Sequence, residues 1–169
     1  VFHRRPAWRV GRRIPTRLPP HRALWLVGAH AAVDYTAQDF VAEVARLTGN
    51  HGVDVVLDMI GGDYVPRNLE CLAPGGRHVS IATQHGPKAQ IDIRVLMRNA
   101  ILMTGSSPRP QPTAVKAAIA RALETEIWPL YASGGMRPVI DRVYPLAEAA
   151  EAHARMEASA HVGKIILEM

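Results

Sequence analysis

The run Val53-Asp54-Val55-Val56-Leu57-Asp58-Met59-Ile60-Gly61-Gly62 constrains the fold of this chain more than any other stretch. Val53, Val55 and Val56 are β-branched, Leu57 extends the apolar run, and a glycine pair closes it before a helix could form. Such a run reads as a parallel strand covered on both faces. Ligands of open α/β sheets sit beyond the carboxyl ends of such strands, which makes Asp58 to Gly62 the edge of a site. The alternative is a strand-to-helix turn that needs its glycines for geometry only.

The rest of the chain from Gly28 alternates in the same way, the pattern of an α/β fold with a parallel sheet. A short strand is expected at Ala31–Tyr35. A helix follows, with Thr36 as its cap, Asp39 in the capping-box position, an apolar face of Phe40, Val41, Val44 and Leu47, and Gly49 at its end. After the opening strand come a helix from Val65 to Leu72 with Pro66 in its first turn, and a turn at Pro74-Gly75-Gly76. A strand is expected over Arg77–Ala82, a loop over Thr83–Ala89, a short helix through Leu96-Met97 and a strand over Ile101–Gly105. The longest helix spans Thr113 to Leu130, with Val115, Ala118, Ile119, Ala122 and Leu123 facing inward and Pro129 bending or ending it. A strand at Val139–Tyr144, a helix at Leu146–Ala158 and a strand at Val162–Leu167 complete the chain.

Three of these strands end in small or glycine-containing turns: Met59-Ile60-Gly61-Gly62, Ile81-Ala82-Thr83 and Thr104-Gly105-Ser106. As neighbouring parallel strands they would line one crevice with accessible main-chain groups, suited to a flat, amide-bearing ring such as nicotinamide. Ordinary tight connections are the competing reading of each turn taken singly. No G-x-G-x-x-G follows any strand, so the loop that would hold a pyrophosphate is missing from the sequence.

Other chemistries find less support. The single cysteine, Cys71, excludes an internal disulfide and a cysteine-built zinc site, and reads as a small core residue. His78, His85, His153 and His161 lack metal-ligand spacing. Ser80, Ser106 and Ser107 have no G-x-S-x-G context. Lys164 is either an anion contact or a solvated lysine, and Tyr35 either stacks at a ligand or is an edge aromatic.

The net charge of +5 belongs to one end of the chain. Residues 1–27 hold seven arginines and no acid, interrupted by Pro6, Pro15, Pro19 and Pro20, whereas the other 142 residues carry 13 basic against 15 acidic side chains. This leader is expected to be irregular, with Leu24–Val27 as its one patch able to dock, and nucleic acid is not an expected partner because the charge lies off the folded part. The sequence contains neither a secretory signal nor an apolar run that would span a membrane, and the expected compartment is the cytoplasm. The expected organisation is an irregular leader over 1–27 and one domain over 28–169.

Gly28-Ala29, Val33-Asp34-Tyr35, Asp39-Phe40, Leu47-Thr48-Gly49, Val53–Tyr64, Leu72–Arg77, Leu96-Met97, Thr104–Ser106, Trp128-Pro129-Leu130, Arg137–Asp141 and His161–Ile165 together resemble the carboxyl-terminal half of NAD(P)H quinone oxidoreductases. These are zinc-independent members of the medium-chain dehydrogenase/reductase superfamily. The resemblance implies a Rossmann-type domain binding NADPH, without zinc, and passing hydride to a quinone or enone. By position it implies cofactor contacts from Tyr35, Met59, Ile60, Gly61, Gly62, Ile81, Ala82, Thr83, Thr104, Gly105, Ser106 and Lys164. It also implies pairing of two subunits through the strand near Ile101–Ser106. In the family's strand order 3-2-1-4-5-6, the first two strands and the whole substrate domain have no counterpart here. The leader stands in their place and reads like out-of-frame translation or a fusion scar. The implied fold is thus a partial Rossmann-type sheet with helices on both faces, of little or no activity alone. The alternative is a non-catalytic interaction module that uses an exposed sheet edge and the basic leader.

Overall fold

The computed structural model describes residues 29–159 and 161–169; the expected leader and its Leu24–Val27 patch lie outside the described residues. The chain forms two compact units, one built on 33–117 and one on 118–169.

The first unit runs α1 (Phe40–Leu47), β1 (Val53–Asp58), α2 (Tyr64–Glu70), β2 (Leu72–Ser80), α3 (Ile93–Asn99) and β3 (Leu102–Gly105). The three strands are parallel in the order β1-β2-β3, the α/β arrangement expected from the alternating pattern. Their register puts Val56, His78 and Met103 side by side on one face and Leu57, Val79 and Thr104 on the other. The first face carries the core. The core cluster joins Val53, Val56 and Leu72 with Val44 of α1, Leu69 of α2 and Cys71, flanked by Phe40, Val41, Val95, Leu96 and Met103. On the opposite face Leu57 is 44% and Leu102 56% exposed. The expectation that β1 is covered on both faces therefore holds on one. A run of β-branched residues reports what a strand is able to bury, and cover depends on elements elsewhere.

Among the described residues β1 pairs with β2 alone, and the strand expected at Ala31–Tyr35 is absent. An extended segment becomes a strand only where a neighbour takes its N–H and C=O groups. Residues 34–38 instead form a turn: Asp34 Oδ1 accepts from the Thr36 amide and hydroxyl at 3.1 and 2.6 Å, and Asp34 O from the Ala37 and Gln38 amides. Thr36 is thereby engaged, and Asp39 caps α1 in its place, its Oδ1 accepting from Val41 N and Ala42 N at 2.9 and 3.0 Å. The Ala42 amide leads the interactions that hold this carboxyl below its ordinary range, and Arg67 Nη2, 2.6 Å from Oδ2, adds to it.

The turn expected at Pro74-Gly75-Gly76 lies inside β2 as an irregularity. The register passes from Val53 opposite Leu72 to Val55 opposite Arg77, so β2 carries surplus residues where Pro74 has no N–H to give.

The long helix is interrupted. α4 (Thr113–Ala122) passes through a π segment, Leu123–Ile127, into α5 (Trp128–Ala132). Pro129 lacks the N–H that would reach the carbonyl of Thr125, and the widened turn before it absorbs the misfit. Val115, Ile119 and Leu123, expected to face inward, are 42, 50 and 47% exposed. The stripe is real, but periodicity specifies a face and not its partner.

In the second unit β4 (Ile140–Pro145) and β5 (Lys164–Glu168) pair in parallel, joined through a 3₁₀ turn at Leu146–Glu148 and α6 (Ala149–Glu157). Asp141 fastens this crossover. It accepts from Arg155 Nε and Nη2 at 2.6 and 3.1 Å and from Val162 N at 3.0 Å.

Candidate functional site

The carboxyl ends of β1, β2 and β3 meet through main-chain hydrogen bonds. Ile81 N donates to Asp58 O (2.7 Å), Gln84 N to Met59 O (3.2 Å), His85 N to Ile60 O (2.7 Å) and Gly62 N to Gly86 O (3.1 Å). Ser106 N donates to Ser80 O at 2.9 Å, bringing in the third loop. The result is a shelf whose outer residues, Met59, Ile81, Ala82, Thr83, Thr104, Gly105 and Ser106, are exposed while Gly61 and Gly62 are buried inside it.

The glycine pair is explained by this packing. Both residues have positive φ (71° and 54°), and a Cβ on Gly61 would stand 2.8 Å from Gly86 O, one on Gly62 2.7 Å from His85 O. Only glycine lets the two loops approach so closely. Tyr64 supports the second loop from α2, with its ring edge-on to His85 and stacked on Phe40.

Asp58 organises the first turn. Its Oδ1 accepts from Ile60 N and Gly61 N at 2.7 and 3.1 Å. Its Oδ2 lies 3.2 Å from His78 Nε2, too poorly aligned to be a hydrogen bond, and both side chains are buried. Sequence reasoning marked Asp58 only as the rim of a site and set His78 aside. The available signal was an acid closing an apolar strand two residues before a glycine pair, an arrangement in which the carboxylate binds the turn's own amides.

Ten of the expected cofactor contacts (Met59, Ile60, Gly61, Gly62, Ile81, Ala82, Thr83, Thr104, Gly105 and Ser106) come together on this shelf. Tyr35 does not join them by any main-chain hydrogen bond among the described residues; it stands 70% exposed on the turn before α1. Lys164 opens β5 in the second unit, exposed. The shelf's exposed threonine and serine hydroxyls and small side chains match a planar carboxamide, which needs donors, acceptors and close approach. For a pyrophosphate the sequence supplies no glycine loop.

Among the described residues no three His, Cys, Asp or Glu side chains lie together to hold a metal. Cys71 is buried in the core, and burial pushes its thiol up to about 11, which leaves it protonated and inert at neutral pH. Among the described residues no helix is long and apolar enough to cross a membrane.

Residues 27–167 match the sequence profile of the zinc-binding dehydrogenase family. The chain is 31% identical over 150 residues to the 2-haloacrylate reductase of Burkholderia sp, covering 83% of this chain and 42% of that protein. It is 29% identical over 140 residues to the quinone oxidoreductase of Pseudomonas aeruginosa, covering 83% and 43%. The crystal structure of a 2-haloacrylate reductase superposes with a TM-score of 0.71 at 27% identity, over 88% of this chain and 46% of that one. The chain thus spans less than half the length of these relatives. Its match along nearly all of the region from Gly28 onward, and its parallel sheet with loops joined at the carboxyl ends, place it in the zinc-binding dehydrogenase family, on the quinone-oxidoreductase-like side of the medium-chain dehydrogenase/reductase superfamily.

Proposed function

We propose that residues 28–169 form a truncated Rossmann-like domain carrying the nicotinamide half of an NAD(P)H site, from an oxidoreductase that passes hydride to a quinone or enone. The observation that carries the reading is the shelf: three parallel strand ends joined into one surface at the place where open α/β sheets take ligands. NADPH is the proposed cofactor, with Met59–Gly62, Ile81–Thr83 and Thr104–Ser106 at its nicotinamide end, and Tyr35 as an outlying contact. Zinc has no part in the reading. When bound, the cofactor supplies the hydride; the chain's own residues orient the ring and shield one of its faces from water.

No glycine-rich phosphate loop follows any strand from Gly28 onward, so weak binding of the dinucleotide by this chain is expected. Fluorescence titration of the purified chain with NADPH tests this: a Kd of roughly 1 mM or weaker is expected. A micromolar Kd, or steady quinone reduction, would overturn it. The proposed compartment is the cytoplasm.

One observation favours a second reading, an interaction module: β1 is a sheet edge among the described residues, with Leu57 open beside it. Removing residues 1–27 separates its electrostatic form from other binding, because polyanion binding that survives the deletion cannot come from the arginines.

A further inference from the structure

Asp58 and His78 are the two polar residues that the described part of the molecule buries most completely, at 2% and 0% exposure. They lie on the helix-covered face of neighbouring strands, His78 opposite Val56 and Asp58 opposite Ser80. Asp58 divides its two oxygens. Oδ1 takes the Ile60 and Gly61 amides, and Oδ2 rests 3.2 Å from His78 Nε2. Neither imidazole nitrogen has a hydrogen-bond partner, so the pair is held by burial and proximity. An apolar pair would fill the same space without desolvating a carboxylate. What an apolar residue cannot do is hold two amides of the turn that carries Gly61 against the second loop.

We propose that Asp58 is the positioning residue of the cofactor shelf, with His78 as the stop that keeps its carboxylate from rotating away. Oδ1 sets the Ile60 and Gly61 amides, and through them the positive-φ glycines that let Gly62 N reach Gly86 O. Asp58 touches no ligand in this scheme and acts through the turn. The proposal rests on the reading of the shelf as the nicotinamide end of the site.

Two substitutions separate geometry from charge. Asp58→Asn keeps the Oδ1 acceptor and puts an amide N–H where Oδ2 stood, facing an imidazole nitrogen able to accept. Asp58→Ala removes both contacts. In the isotope-labelled full chain, wild-type Ile60 and Gly61 amides should exchange as slowly as those of β2. Asp58→Asn should stay within about threefold of that rate, and Asp58→Ala should speed both by about tenfold or more while Val79 is unchanged. Millimolar NADPH should shift the Gly61, Gly62 and Thr83 amides in the wild type and in Asp58→Asn, and leave them in place in Asp58→Ala. Fast exchange at Ile60 and Gly61 in the wild type would overturn the role of Asp58, as would its appearance in Asp58→Asn or unaltered NADPH shifts in Asp58→Ala. If Asp58→Ala does not fold, the wild type and Asp58→Asn decide. Protected turn amides with no NADPH shift in the wild type would overturn the cofactor reading instead.

Discussion

Gly62 shows how a single hydrogen in place of a methyl group decides the shape of the site. A Cβ there would approach His85 O to 2.7 Å from a backbone already at φ 54°. Gly62→Ala is therefore expected to destabilise the chain by about 2 kcal/mol, measured by urea unfolding, and to broaden the 83–86 amide resonances. Asp141 supports a different prediction. Hydrogen bonds from Arg155, ahead of the one from the Val162 amide, hold its carboxyl below the ordinary aspartate value of 3.8. A carboxyl depressed by folding stabilises fully above its unfolded value and loses that contribution as pH falls through the folded one. Asp141→Asn should thus be less stable than the wild type at neutral pH, with the gap closing below pH 3.8 in acid titrations followed by circular dichroism. The glycine pair was legible in the sequence as special, whereas its reason was not: its partners, Gly86 O for Gly61 and His85 O for Gly62, are 25 and 23 residues away and meet it only when β1 and β2 pair. The same holds for Asp58 and His78, brought together by strand register and by no spacing in the sequence.

At the scale of elements, order and type were readable where composition and periodicity agreed. β1, β3, β4 and α1 fall within a few residues of expectation because β-branched runs and apolar stripes act locally. The errors share one cause. Ala31–Tyr35 has strand composition and joins no sheet among the described residues, Leu57 has core composition and is 44% exposed, and Val115 and Ile119 form a stripe left exposed. Each is a local preference whose realisation depends on another segment. The π turn belongs to the opposite case, since Pro129 was legible as a perturbation and the helix adapts around it. Pro129→Ala should restore a regular turn over Leu123–Ile127 and stabilise the chain by about 1 kcal/mol, visible as increased helical ellipticity and a higher unfolding midpoint. A lowered midpoint would mean that the widened turn is required by its surroundings.

For the whole molecule, the family relationship was carried by ordered motifs spread over the chain, and it survives where individual elements deviate. The outer edge of β3 is unpaired among the described residues, as subunit pairing through Ile101–Ser106 requires. Sedimentation of the full chain is expected to show a dimer whose dissociation follows mass action; a monomer at all concentrations would remove that interface. The main-chain lacing of the shelf has an evolutionary consequence as well. Apart from Asp58, the bonds that join its loops are made by peptide groups, so the side chains of Met59, Ile81, Ala82 and Thr83 project from a surface that does not depend on them. Such a surface tolerates drift: each outward side chain is replaceable singly while the frame beneath stays inherited.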